Sequence, residues 1–146
     1  MNKLYNSSFE MELRTLMVLY ISPLESMSAD QIYSFDFICC YGEDFEVSEN
    51  NLHGDSAYKF GELALRKSVI NDAVKDLVVR GMIDVVTGDG FKYKINDRGI
   101  EFISSLDNQY SDLYTKIAGD AFTKYGKLTE QELLAIINKA AMGRNK

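Results

Sequence analysis

The chain has 146 residues, which suits one domain that buries about 68–70% of the surface of its unfolded chain. Its composition is 46% hydrophobic and 26% charged with a single proline, which predicts a folded, mainly helical protein and argues against a long disordered tail. Its net charge of −6 argues against binding of nucleic acid by charge alone, and with neither a signal peptide nor a run of roughly twenty apolar residues we expect a soluble, cytoplasmic protein without a membrane partner.

The first predicted helix runs from Phe9 to Ile21. The capping box Ser7-x-x-Glu10 precedes it, and its apolar residues recur at helical spacing. Pro23 ends this helix, because a proline cannot continue the hydrogen-bond ladder.

The second predicted helix begins at the capping box Ser28-x-x-Gln31 and reaches about Tyr41. It is apolar nearly all round, so it has to be covered on both sides. We expect the domain core on one side and either the C-terminal extension or a partner protein on the other. Cys39 and Cys40 are interpreted as small buried hydrophobic residues, with a vicinal redox pair as the alternative.

An insertion at residues 43–65 separates the second helix from the third. In a DNA-binding helix-turn-helix, a turn of about three or four residues joins these helices. A long structureless loop in a compact domain is uncommon and usually functional. We expect short helical turns within it at Ser48–Leu52 and Tyr58–Leu65.

The stretch from Lys67 to Leu106 has the order helix, hairpin, helix, which predicts the second half of a winged helix-turn-helix. Gly81 can end the helix in a left-handed cap, and Gly88-Asp89-Gly90 is a tight-turn signal between two short strands. Asn96 or Asp97 can cap the helix after this wing.

Two further helices complete the chain. The first spans residues 108–125, and the second follows the capping box Thr129-x-x-Glu132 and reaches about Met142. The predicted fold is mainly α with a small β-hairpin: a winged helix-turn-helix with a long insertion before the third helix and a C-terminal helical hairpin. The predicted domains are a winged-helix domain at 1–106, with residues 43–65 as its inserted loop, and a C-terminal helical extension at 107–146 packed on it.

Candidates for catalytic or metal chemistry are few. His53 is the only histidine and stands beside Gly54 and Asp55, so a proton-transfer or metal-binding role is one reading. The favoured reading is a polar residue that orders the loop. The acids between Glu43 and Glu49 could hold a divalent cation, but they miss the spacing of an EF-hand, which favours a solvated acidic face. With so few candidates for chemistry, we predict no metal site, no cofactor, no small-molecule substrate and no catalytic residue.

DNA binding through the third helix and the wing is the alternative function. Lys67, Asn71 and Lys75 have i, i+4, i+8 spacing opposite the apolar stripe, and Lys92 lies on the wing. Acids are mixed among these cations, whereas a tight DNA binder makes about six to ten phosphate contacts. The acidic balance and the insertion favour a protein-binding platform over a transcriptional regulator or a DNA-end-binding module.

The order of motifs resembles the middle component of bacterial ABC-three-component defence systems, the group that includes Lamassu. The resemblance rests on DFICCYGEDFEVSENNLHGD at Asp36–Asp55, on Tyr58, Glu62 and Arg66-Lys67, and on LVVRGMIDV at Leu77–Val85 before a hairpin that ends in FKYKI. It implies a small adaptor between an SMC-like coiled-coil ATPase and an effector, often a nuclease, in a complex that acts against phages or plasmids. It also implies that catalysis belongs to the partners.

We therefore expect the partner surfaces on the helix from Ser28 to Tyr41, on the insertion at 42–66 and on the C-terminal hairpin. DNA would be contacted through the complex. The residues predicted to bind partners are His53, Gly54, Asp55, Tyr58, Tyr110 and Tyr114.

Overall fold

A computed structural model of the chain describes residues 7–52, 63–106 and 108–144. The predicted class is confirmed, since these residues form six helices and one two-stranded antiparallel sheet. None of the helices in these ranges is long and apolar enough to cross a bilayer. In chain order the elements are α1 (Ser8–Ile21), α2 (Ala29–Cys40), α3 (Leu63–Val79), β1 (Ile83–Gly88), β2 (Gly90–Ile95), α4 (Asp97–Ser104), α5 (Gln109–Tyr125) and α6 (Glu130–Arg144).

Polar caps begin the helices where the sequence predicted them. Ser28 and Gln31 form both hydrogen bonds of a capping box at α2. Thr129 and Glu132 form the equivalent pair at α6, with distances of 2.9 and 3.1 Å. These bonds satisfy N–H groups that the first turn of a helix leaves without a partner in the helix.

The hairpin predicted after the third helix is formed by β1 and β2. Gly90, at the turn, has a φ of 87°, and Gly81, after α3, has a φ of 75°, both in the left-handed region that glycine adopts without a steric penalty. Met27 exchanges two backbone hydrogen bonds with Tyr93, at 2.9 and 2.8 Å, so the segment before α2 pairs with β2. Of the two predicted caps of α4, Asn96 is the one used, because its side chain accepts a hydrogen bond from the Gly99 N–H.

The insertion differs from its prediction in two places. α3 begins at Leu63, so the end of the predicted turn at Tyr58–Leu65 belongs to this helix, and residues 58–62 lie outside the described residues. The turn predicted at Ser48–Leu52 is wrong, because residues 48–50 form bends. Ser48 Oγ donates to the Asn50 carbonyl at 2.7 Å, a local bond that competes with helical hydrogen bonding.

α2 lies at the centre of the molecule and contacts α1, α3, β2, α5 and α6. Every residue from Ile32 to Tyr41 is buried. The second cover of this apolar helix is therefore the C-terminal helices, and the expectation that Ser28–Tyr41 supplies a partner surface is wrong for its buried part. The buried apolar residues form one cluster that includes Phe122 and Leu133, while the division of the chain into domains at 106 and 107 stays a prediction.

Candidate functional site

A buried carboxylate on α2 joins four helices. Asp36 is fully buried, and its Oδ1 accepts hydrogen bonds from Arg14 Nε at 2.8 Å and from the Tyr114 hydroxyl at 2.7 Å. Its Oδ2 accepts one from Arg66 Nη1 at 2.7 Å. α1, α3 and α5 thus each place a donor on one carboxylate, and we call Arg14, Asp36, Arg66 and Tyr114 the Asp36 cluster.

The Asp36 carboxylate and the nearby Glu10 carboxylate together balance the two guanidinium charges of the Asp36 cluster. Burial by itself would raise the pKa of Asp36, but Arg14 and Arg66 outweigh burial and hold this pKa well below its usual range. The carboxylate is therefore ionised between the two guanidinium groups. Glu10 adds a second negative charge, with its Oε2 3.4 Å from Arg14 Nη1.

Aromatic rings and a thiol complete the surroundings of Arg66. Its guanidinium carbon lies 5.6 Å from the ring centroid of Phe37 and 5.9 Å from that of Tyr41, within the range of a cation–π interaction. Cys40 Sγ lies 3.8 Å from Arg66 Nη1. The side chain of Arg66 is thus held on several sides by residues of α2 and the turn after it.

The two cysteines are buried thiols, as the sequence predicted. Burial raises the pKa of Cys40 to about 12 and raises that of Cys39 well above its usual value. A thiol that keeps its proton at neutral pH is a poor nucleophile and a poor metal ligand. This environment disfavours the alternative of a vicinal redox pair.

The Asp36 cluster can hold helices together, but its groups lack access to a substrate. Arg14, Asp36 and Tyr114 have no exposed surface, and Arg66 is 4% exposed. Within the described ranges no group of three or more His, Cys, Asp or Glu side chains could hold a metal ion. The arrangement therefore fixes the relative positions of α1, α2, α3 and α5.

The residues predicted to bind partners fall into two groups. His53, Gly54, Asp55 and Tyr58 lie outside the described residues. Tyr110 and Tyr114 stack on α5 with centroids 6.4 Å apart, and Tyr110 is half-buried. Because Tyr114 is fully buried, it could affect a partner only through its neighbours, and for Tyr110 partner binding stays a prediction.

The residues predicted for DNA binding differ in their availability. Lys67 Nζ lies 3.3 Å from Asp30 Oδ1 and also lies over the Tyr33 ring. Asn71 is half-buried. Lys75 of α3 and Lys92 of β2 are exposed, and DNA binding through them stays a prediction.

Neither Arg14 nor Asp36 was predicted to be a functional residue, although the sequence contains a signal for both. Asp36 stands inside the apolar run SFDFICCY, where a carboxylate requires a cationic partner. The segment from Thr15 to Tyr58 contains no lysine or arginine. The partners of Asp36 therefore had to come from outside this segment, and Arg14 immediately precedes it.

Nearly the whole chain matches the model of one known protein family. A family model for the ABC-three component (ABC-3C) system Middle Component 2 matches residues 4–145. The chain belongs to this family. No curated protein and no solved structure matches it. As a middle component of a multi-component system, this Middle Component 2 protein has protein partners.

Proposed function

We propose that this Middle Component 2 protein is a non-catalytic adaptor in a Lamassu-type defence system. It links an SMC-like coiled-coil ATPase to an effector of the nuclease type and regulates that effector in the cytoplasm. The family match over residues 4–145 carries this proposal, because a middle component of an ABC-three component system works with protein partners. The buried, mutually paired charges of the Asp36 cluster support a structural role for the strongest polar site in the described part of the chain.

We assign the fold to the winged helix-turn-helix class. The order α1, α2, α3, hairpin and α4 supports this assignment, and a single-residue bridge between Met27 and Tyr93 ties the segment before α2 to the hairpin. The insertion between α2 and α3 departs from the short turn of a DNA-binding helix-turn-helix. We therefore assign this winged helix to protein binding.

Co-expression with the ATPase and the effector from the same operon tests the adaptor proposal. We expect the three proteins to co-purify and to elute as one complex in size-exclusion chromatography. An assembly that forms equally well without this chain would overturn the proposal.

Simultaneous replacement of His53, Asp55 and Tyr58 by alanine tests the inserted loop as a partner surface. We expect weaker assembly with an unchanged thermal unfolding temperature of the isolated protein. The matched control is Tyr20→Ala, at a tyrosine that is 42% exposed on α1. If the triple variant folds and assembles like the control, the loop is not the partner surface.

DNA binding is the second candidate function, and the exposed Lys75 and Lys92 favour it. A gel shift at low salt, repeated with Lys67→Glu and Lys75→Glu, separates it from the adaptor function. Loss of a shift on charge reversal would support a DNA contact by the isolated protein, whereas no shift at low salt would eliminate one.

A further inference from the structure

An apolar cleft opens between α1, the end of α3 and α4. Its volume is about 110 Å³, which is several times the roughly 30 Å³ that a water molecule occupies in the liquid and far below the roughly 300–1,000 Å³ of a small-molecule site. The cleft therefore has room for one apolar side chain of a partner. Its lining includes Phe9, Glu12, Leu13, Leu16, Leu77 and Arg80, and we call it the Phe9 cleft.

Phe9 lines this cleft, and most of its side chain is exposed to solvent and not packed in the core. The side chain is 66% exposed, although Leu16 and Leu77 below it are almost completely buried. Aromatic side chains, phenylalanine among them, are enriched in protein interfaces relative to the rest of the surface. The apolar surface of the cleft thus extends from buried core residues to the solvent-exposed ring of Phe9.

The polar side of the Phe9 cleft carries excess negative charge. Arg80 Nε lies 2.8 Å from Asp76 Oδ2 and 3.5 Å from Glu12 Oε1. Two carboxylates and one guanidinium give these three residues a net charge of −1 above the pKa of Glu12, which burial and the neighbouring Asp76 raise to about 7. A lysine or arginine of a partner would neutralise this charge, and the net charge of −6 of the whole chain favours the same partner.

We propose that the Phe9 cleft binds a segment of one of the other two components, which inserts an apolar side chain beside Phe9 and Leu13 and places a neighbouring lysine or arginine against Glu12 and Asp76. This inference rests on the proposed adaptor function, and it names the chemistry of the segment that the adaptor recognises.

The apolar half of the inference is tested by measuring the affinity of the purified protein for each of the other two components. Phe9→Glu should weaken the affinity for one component about tenfold or more, as expected for a central interface aromatic residue. Phe91→Glu is the matched control, because Phe91 on the wing is also 66% exposed. We expect this control to bind like the wild type.

The charged half is tested with Glu12→Gln, which removes one carboxylate and keeps the shape of the side chain. At about pH 8, where the Glu12 carboxylate is ionised, we expect a weaker affinity and a shallower dependence on salt concentration than in the wild type. A photo-crosslinking amino acid in place of Phe9 then identifies the bound segment by mass spectrometry. The expected crosslink lies beside a lysine or arginine, and a crosslink to an acidic segment or to a second copy of this chain would overturn the inference.

The binding measurements separate two outcomes: the Phe9 cleft is not the binding site, or the protein is not an adaptor. If the wild-type protein binds neither component, the adaptor function itself fails. If the wild type binds but Phe9→Glu binds equally well, or if Phe91→Glu is weakened as much, the Phe9 cleft is not the binding site. An unfolding temperature close to that of the wild type, measured for each variant, would show that a change in affinity is not caused by a loss of fold.

Discussion

Asp36 shows how one charged residue restricts the packing of a helical protein. A buried charge without a partner costs several kcal/mol, so Asp36, Arg14 and Arg66 can be buried only if all three meet. Each belongs to a different helix, and the Tyr114 hydroxyl adds a fourth. The Asp36 cluster thus selects one arrangement of these helices from the many that apolar contacts alone would allow.

Replacement of Asp36 by alanine should destabilise the protein strongly, because it leaves two guanidinium groups buried without their shared carboxylate. We expect the free energy of unfolding, measured by urea denaturation, to fall by about 3–5 kcal/mol. Asp120→Ala is the control, since Asp120 is an exposed residue 3.9 Å from Lys116, where the expected loss is below about 1 kcal/mol. Similar small losses in both variants would show that the cluster contributes little to folding.

Glu12 should make stability fall as pH rises through the neutral range. Burial and the neighbouring Asp76 raise the pKa of Glu12 from 4.5 to about 7, against the opposing effect of Arg80. Between these two values the folded protein holds a proton that the unfolded chain has released, so the unfolding free energy decreases with increasing pH.

Urea denaturation at about pH 5 and about pH 8 checks this sign. The wild type should lose more stability between the two values than Glu12→Gln, whose amide does not titrate. Equal losses in both proteins would contradict the raised pKa of Glu12.

At the scale of elements, the features that could be predicted from the sequence are those determined by residues close together in the chain. Capping boxes such as Ser28-x-x-Gln31 and the glycine turn of the β1–β2 hairpin act within a few residues, so their patterns are visible in the sequence. The start of α3 at Leu63 was missed, because the apolar residues of 58–65 were interpreted as a separate turn.

The Asp36 cluster could not be predicted in the same way. Arg14 and Arg66 are 22 and 30 positions from Asp36 in the sequence. No fixed sequence spacing predicts contacts between different helices. The lone carboxylate in an apolar helix indicates that a cation is needed, but which cation meets it depends on how the helices pack.

Two glycines in different backbone conformations should respond to alanine with opposite signs. Gly81 has a φ of 75°, so Gly81→Ala should cost about 1 kcal/mol or more. Gly119 lies inside α5, where an added Cβ meets nothing within 4 Å, so Gly119→Ala should stabilise by about 0.5–1 kcal/mol. Thermal unfolding of both variants tests this, and a higher unfolding temperature for Gly81→Ala as well as for Gly119→Ala would contradict the left-handed cap after α3.

At the scale of the whole molecule, the C-terminal helices belong to the packing of α2. The rings of Phe35 and Phe122 lie with their centroids 4.2 Å apart, and Tyr114 bonds to Asp36. Because the buried part of α2 is covered in this way, partner proteins have to bind other surfaces of the molecule. The Phe9 cleft, on the side of α1 that faces α3 and α4, is such a surface.

A chain that ends after Leu106 should therefore fail to fold cooperatively. It would expose Phe35 and deprive Asp36 of the Tyr114 hydroxyl, and we expect a broad, non-cooperative urea transition and a poorly dispersed proton NMR spectrum. The control is the full chain with a short Gly-Ser linker inserted after Leu106. It interrupts the same connection but keeps both parts, and doubling a loop costs only about 0.6 kcal/mol, so it should unfold nearly like the wild type. A sharp transition and a dispersed spectrum for the truncated chain would instead show that residues 1–106 fold alone, and that α5 and α6 are an addition to a complete domain.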